Sequence, residues 1–162
     1  MVPIEQQDEK LWNRQQIKAG QAILERAIAR KRPGLYQIKA AIADCHMTRP
    51  SPDWQQMSFL YESLWRFEPT SIVSLNWAVV LAECDFIELA NQKLDQLAPE
   101  LSDFQPWAAA KAHILSKLGK TTEALRYYEM AIAKAPNVPS EAYLKAQVAR
   151  LTLPEVGSIF DE

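Results

Sequence analysis

Small and apolar residues recur in this chain at a constant interval. Ala78, Leu81, Ala90, Leu94 and Leu97 precede Ala112, Leu115, Ala124, Tyr128 and Ala131 by 34 residues each. Self-similarity at a period of about 20 to 50 residues marks one supersecondary unit copied along the chain, so this spacing restricts the fold before any other property is considered. Met57, Tyr61 and Leu64 extend the series backwards with a slip of one residue. Within the last unit, from about Gln105 to Pro136, two apolar stripes of helical spacing meet at Gly119, and Pro136 closes the second. Ala112 and Ala124 are small enough to let the two helices approach. Tyr128 fills the space toward the next helix, and Ala131 makes room for it. A hairpin of this kind exposes its apolar face when alone and persists only when stacked on others.

The composition agrees with helices throughout. Four glycines in 162 residues and few clustered Val, Ile and Thr do not supply the turns and pleated faces of a sheet. Eight helical segments are predicted. The first runs from Asp8 to Arg32, with Trp12, Ala19, Ile23 and Ala27 inward, and stops at Pro33 and Gly34. The second carries Tyr36, Ala40, Ala43 and Met47, and the third is capped by Asp53 and buries Met57, Leu60, Leu64 and Phe67. The fourth starts at Thr70 or Ser71, and the fifth follows a turn at Cys84 and Asp85 that has no glycine and ends at Pro99. Pro106 opens the sixth, Gly119 separates it from the seventh, and Ser140 caps the eighth. Short connections make neighbours antiparallel. The expected fold is all-α: a right-handed array of antiparallel helical hairpins wound into an α-α superhelix of about eight helices.

A formal net charge of -2 gives no whole-molecule attraction to nucleic acid or anionic membrane. The charges are segregated, however. Nine basic residues face two acidic ones between Lys10 and Arg49, and nine acidic residues face two basic ones between Pro50 and Phe104. No apolar run is long enough to span a bilayer and the amino terminus has no signal pattern, so the expected location is cytoplasmic, without membrane contact.

Catalytic chemistry is not expected. His46 and His113 are the two histidines, and Cys45 and Cys84 read as ordinary half-buried thiols. No phosphate loop, dinucleotide fingerprint or metalloprotease helix occurs, so no cofactor and no metal are assigned. The candidate contacts are instead those of a binding surface. Arg30, Lys31 and Arg32 end the first helix, where cations oppose its dipole; with Arg26 and Lys39 nearby, their functional alternative is a patch that touches nucleic acid or an acidic protein surface. Five tryptophans are many for this length; most belong in the core, and one or two, Trp77 among them, suit a groove that grips another protein.

The unit Ala112, Leu115, Gly119, Ala124, Tyr128, Ala131 and Pro136 resembles the tetratricopeptide repeat (TPR). A second resemblance covers Glu5 to Leu151. The runs "QDEKLWN" from Gln7, "RPGLYQIKAAIADCH" from Arg32, "SPDW" from Ser51 and "SIVSLNWAVVLAE" from Ser71 are similar to the carboxy-terminal extension of a family of extracytoplasmic-function (ECF) sigma factors. Gly34, Tyr36, Gln37, Ala40, Ala41 and Ile42 carry it most specifically, with Leu75, Asn76, Ala78 and Val79. Leu35 stands where that family has proline and Trp77 where it has arginine, so polar contacts made there by relatives do not transfer. The resemblance implies a linker-type helical pair at 1–48, TPR-like repeats at 49–153 and a frayed tail at 154–162. It implies a non-catalytic interaction and regulatory domain that docks on sigma modules or RNA polymerase, modulates transcription initiation, and does not itself bind promoter DNA. The chain would be an excised or a separately encoded part of such a factor. The alternative is a free-standing TPR adaptor binding a peptide of an unrelated protein.

Overall fold

Side chains near the helix starts decide where the helices begin. In the computed structural model, which describes residues 7–31, 33–47 and 51–153, a 3-10 turn at Glu9–Leu11 precedes the α-helices, eight among the described residues. These are α1 (Arg14–Ala29), α2 (Leu35–Met47), α3 (Trp54–Phe67), α4 (Ser71–Glu83), α5 (Ile87–Leu101), α6 (Gln105–Lys117), α7 (Thr121–Ala133) and α8 (Val138–Thr152). The fold is all-α, as expected; α1 to α5 pack each on the next, and so do α6 to α8. Arg32 and the expected tail 154–162 lie outside the described residues. Among the described residues no helix is long and apolar enough to cross a membrane.

Two compact units are present, divided between Leu101 and Ser102. In the first, Ile38, Ile42 and Cys45 of α2, Met57, Tyr61 and Leu64 of α3, and Val73 and Val80 of α4 form one core cluster. Leu75, Ala78, Leu81 and Ala82 of α4 are also buried, as are Ala90 and Leu94 of α5. Covered on so many sides, α4 is apolar nearly all round, the pattern of a helix with neighbours on both flanks. The second unit buries Trp107, Ala112, Ile114 and Leu115 of α6, Ala124, Tyr128 and Ala131 of α7, and Leu144 of α8.

The interval of 34 residues survives as geometry. Ala78 and Ala112, Leu81 and Leu115, Ala90 and Ala124, and Leu94 and Tyr128 are all buried; Ala131 is buried and its counterpart Leu97 half-buried. Both corners are closed by the same backbone device. Phe86 N–H donates to the Leu81 carbonyl at 3.0 Å, and Lys120 N–H donates to the Leu115 carbonyl at 3.0 Å. Each bond spans a residue in the left-handed region, Asp85 at φ 65° and Gly119 at φ 72°. This is the Schellman way of satisfying the last carbonyls of a helix. At the first corner aspartate takes the position that glycine holds at the second, which explains a turn with no glycine.

Several expectations are corrected. The first helix does not begin at Asp8, because the Asn13 side chain accepts from Gln16 N–H at 3.0 Å and starts α1 there. It ends before Arg32, with Lys31 at φ 49°. Its buried residue is Leu24, whereas Ile23 is 60% exposed and Ala19 is exposed. In α2, Ile38, Ile42 and Cys45 face the core, while Tyr36 is 82% exposed and Ala40 and Ala43 are also exposed. Larger aliphatic side chains win the buried face because they remove more apolar area from water. Phe67, expected inside α3, is exposed. Pro99 does not end α5: the helix continues to Leu101, and Glu100 accepts a hydrogen bond from the Ser71 hydroxyl at the start of α4. Finally α8 is capped by Asn137, which accepts from Ser140 N–H at 2.9 Å, so Ser140 lies inside the first turn. Asp53 caps α3 as expected, accepting from Gln56 N–H at 2.9 Å.

Candidate functional site

With Met57, Tyr61 and Leu64 turned to the core, helical spacing brings Ser58, Glu62, Trp65 and Arg66 of α3 toward one other side. Glu62, Trp65 and Arg66 line an open cleft of about 390 Å³ together with Trp77 of α4 and Lys93 of α5. The residues come from three consecutive helices of one unit, so the packing of α3, α4 and α5 holds the cleft in shape.

Its floor is aromatic and its rim is charged. Trp77 is half-buried, and its indole N–H donates to the Ser58 hydroxyl at 3.4 Å. Trp65 is 44% exposed, a large apolar surface open to solvent. Arg66 and Glu62 form an ion pair at 2.6 Å, one turn apart on α3. The Lys93 ammonium lies 4.2 Å from the centroid of the Trp77 ring, in the position of a cation-π contact. Burial pushes the Lys93 amine below its ordinary range, because part of its hydration is lost. Tryptophan and arginine, both present in this cleft, are among the residues enriched at the energetic centres of protein interfaces.

Trp77 is therefore the one expected contact residue that the cleft contains. The basic group does not join it. Arg26 and Arg30 are exposed on and just after α1, Lys31 is exposed at the following turn, and Arg32 lies outside the described residues. Lys39 is bound elsewhere, pairing with Glu68 at 2.6 Å. The packing residues Ala78, Ala90, Leu94, Ala112, Leu115, Ala124, Tyr128 and Ala131 are buried, Leu97 is half-buried, and Gly119 and Pro136 are exposed beside α7. None of them lines the cleft.

Sequence reasoning missed Glu62, Trp65, Arg66 and Lys93 as a set. One signal was available: between Pro50 and Phe104, Arg66 and Lys93 are the two basic residues, and both stand in the cleft. It also missed Lys111, which is 4% exposed on α6. Its place between Trp107 and Leu115 at intervals of four is the core stripe of that helix.

Cys84 packs against the core cluster that contains Cys45. Cys45 and Cys84 are free thiols. Burial pushes both pKa values up, with Asp53 and Asp44 adding to the effect at Cys45 and Glu83 and Asp85 at Cys84. Thiols held protonated in this way are weak nucleophiles and weak metal ligands near neutral pH. His46 meets Trp54 edge-on with ring centroids 5.9 Å apart. Among the described residues no group of three or more His, Cys, Asp or Glu side chains could hold a metal ion.

The chain matches no family model. It is 34% identical over 154 residues to an uncharacterized protein of Rhizobium meliloti, a match that covers 93% of this chain and 36% of that protein. The chain thus spans about a third of the length of the curated relative it matches.

Proposed function

We propose that this chain is a non-catalytic docking domain, cytoplasmic and TPR-like, that regulates an ECF-type sigma factor by holding a segment of the sigma modules or of RNA polymerase. The observation that carries the docking part is the cleft of Trp65, Trp77 and Lys93: solvent-open aromatic surface with charge at the rim. The identity of the docked protein rests on the sequence resemblance. A relative in which the matched region makes up 36% of a longer chain supports a module that works beside other modules.

Docking of this kind regulates by population. If the cleft holds the sigma modules in a form that cannot engage a promoter, any signal that competes for the cleft shifts the balance toward the active form. The test is direct mixing of the separately expressed sigma modules with this chain at low ionic strength, followed by size exclusion. A co-eluting complex that weakens as salt rises is expected. Separate elution at every salt concentration rules the sigma reading out, and a complex with an unrelated peptide alone would favour a free-standing adaptor.

A further inference from the structure

Resting on the docking reading above, we infer that the cleft between α3, α4 and α5 recognises a peptide segment in which a carboxylate side chain stands next to a bulky apolar one. Lys93 receives the carboxylate, and Trp65 and Trp77 receive the apolar neighbour.

The charge pattern supplies the argument. From Pro50 to Phe104 the chain has nine acidic residues and two basic ones, Arg66 and Lys93. Both cations stand in the same cleft. Arg66 is already neutralised by Glu62 at 2.6 Å. Lys93 is not: among the described residues its ammonium has a contact with the Trp77 ring and no carboxylate partner. A half-buried cation without a counter-ion is a costly arrangement for the free protein, and the depressed amine pKa reflects the same cost. A ligand carboxylate at this point restores the missing charge, and the adjacent indole surface remains for an apolar side chain.

The surroundings narrow the ligand further. Glu62 puts a carboxylate in the cleft itself, and the stretch from Pro50 to Phe104 that supplies the cleft carries nine acidic residues. A run of carboxylates or a phosphate backbone would be repelled by these groups, whereas one carboxylate placed against Lys93 is attracted at short range. The cleft thus selects a single acid beside an apolar anchor, not a polyanion.

The experiment pans a phage-displayed library of random peptides against the intact chain, then measures the enriched peptides, fluorescein-labelled, by anisotropy. Enrichment of Asp or Glu next to Trp, Phe, Leu or Met is expected. Lys93→Gln is expected to weaken binding by about tenfold or more, the scale of a charge-assisted hydrogen bond. Replacing the peptide's Asp by Asn weakens it by a similar factor, and combining the two changes adds little. The peptide-side change needs no altered protein, so a folding defect in Lys93→Gln does not blunt the test. The inference is overturned if no peptide is enriched, if enriched peptides lack an acid, or if both single changes leave affinity within about twofold. A lysine that serves only to cover the Trp77 ring gives that last result. Sigma modules that bind wild type and Lys93→Gln equally sink this inference and leave the docking reading standing. Acid-dependent peptide binding without sigma-module binding does the reverse.

Discussion

Replacing Tyr128 by alanine tests the packing on which the repeat depends. The side chain is 3% exposed within the unit formed by α6, α7 and α8. A buried aromatic of this size covers roughly 150 to 250 Å², which at about 25 cal/mol per Å² corresponds to about 4 to 6 kcal/mol. That is an upper figure, because an unfolded chain already hides part of its apolar surface. Measured truncations of buried aromatics cost about 3 to 5 kcal/mol, cavity included. For a chain of 162 residues this lowers the melting temperature on the order of 10 °C, followed by far-UV circular dichroism. The neighbouring Tyr127 is the internal control. It is half-buried and touches Trp107 edge-on with centroids 5.7 Å apart, so Tyr127→Ala is expected to cost less than Tyr128→Ala, about 2 to 3 kcal/mol from roughly half the covered area. Tyr128→Phe keeps the ring and loses the hydrogen bond with Ser116, a change of about 1 kcal/mol. Wild-type melting of Tyr128→Ala, or a larger loss in Tyr127→Ala, refutes the assignment of Tyr128 as the wedge.

Three further outcomes follow from the same packing. At the two equivalent corners, Gly119→Ala should lose about 1 kcal/mol by left-handed strain, since a Cβ there meets nothing within 4 Å. Asp85→Gly should gain a comparable amount in urea melts; a stabilising Gly119→Ala or a destabilising Asp85→Gly would break the equivalence of the corners. The Tyr128 phenol is pushed up to about 12, chiefly by burial and next by Tyr143. Its folded pKa is raised, so its contribution to stability is complete below the unfolded value near 10 and is lost as pH rises through about 12. Denaturant midpoints in that window should fall more steeply for wild type than for Tyr128→Phe; parallel curves would contradict the burial. Finally, Lys93→Gln should leave the melting temperature within a few degrees while weakening peptide capture, because the lysine stands at the rim of a cleft and outside the core cluster.

How much of this was legible in the sequence varies along the chain. The hairpins from α4 to α7 were readable because each small residue at the interval of 34 is packed, so its side chain had a reason to be small. The amino-terminal helices were not. α1 packs chiefly on α2 and buries Leu24, so many of its apolar residues remain on the surface and the stripe does not report the core. Asn137 and Ser140 are both good caps three residues apart, and only the backbone decides between them. Pro99 broke the expected rule because the last turn loses one amide bond there while Ser71 holds Glu100. The cleft was hidden for a different reason. Trp65, Trp77 and Lys93 lie on three helices, and no spacing within one helix can bring them together on paper.

The docking account is tested most directly by amide hydrogen exchange of this chain with and without the sigma modules. Slowed exchange is predicted in α3, α4 and α5 around Trp65, Trp77 and Lys93, with α8 unchanged. Identical exchange in both samples, or protection confined to α1 and the α1–α2 turn, would contradict it.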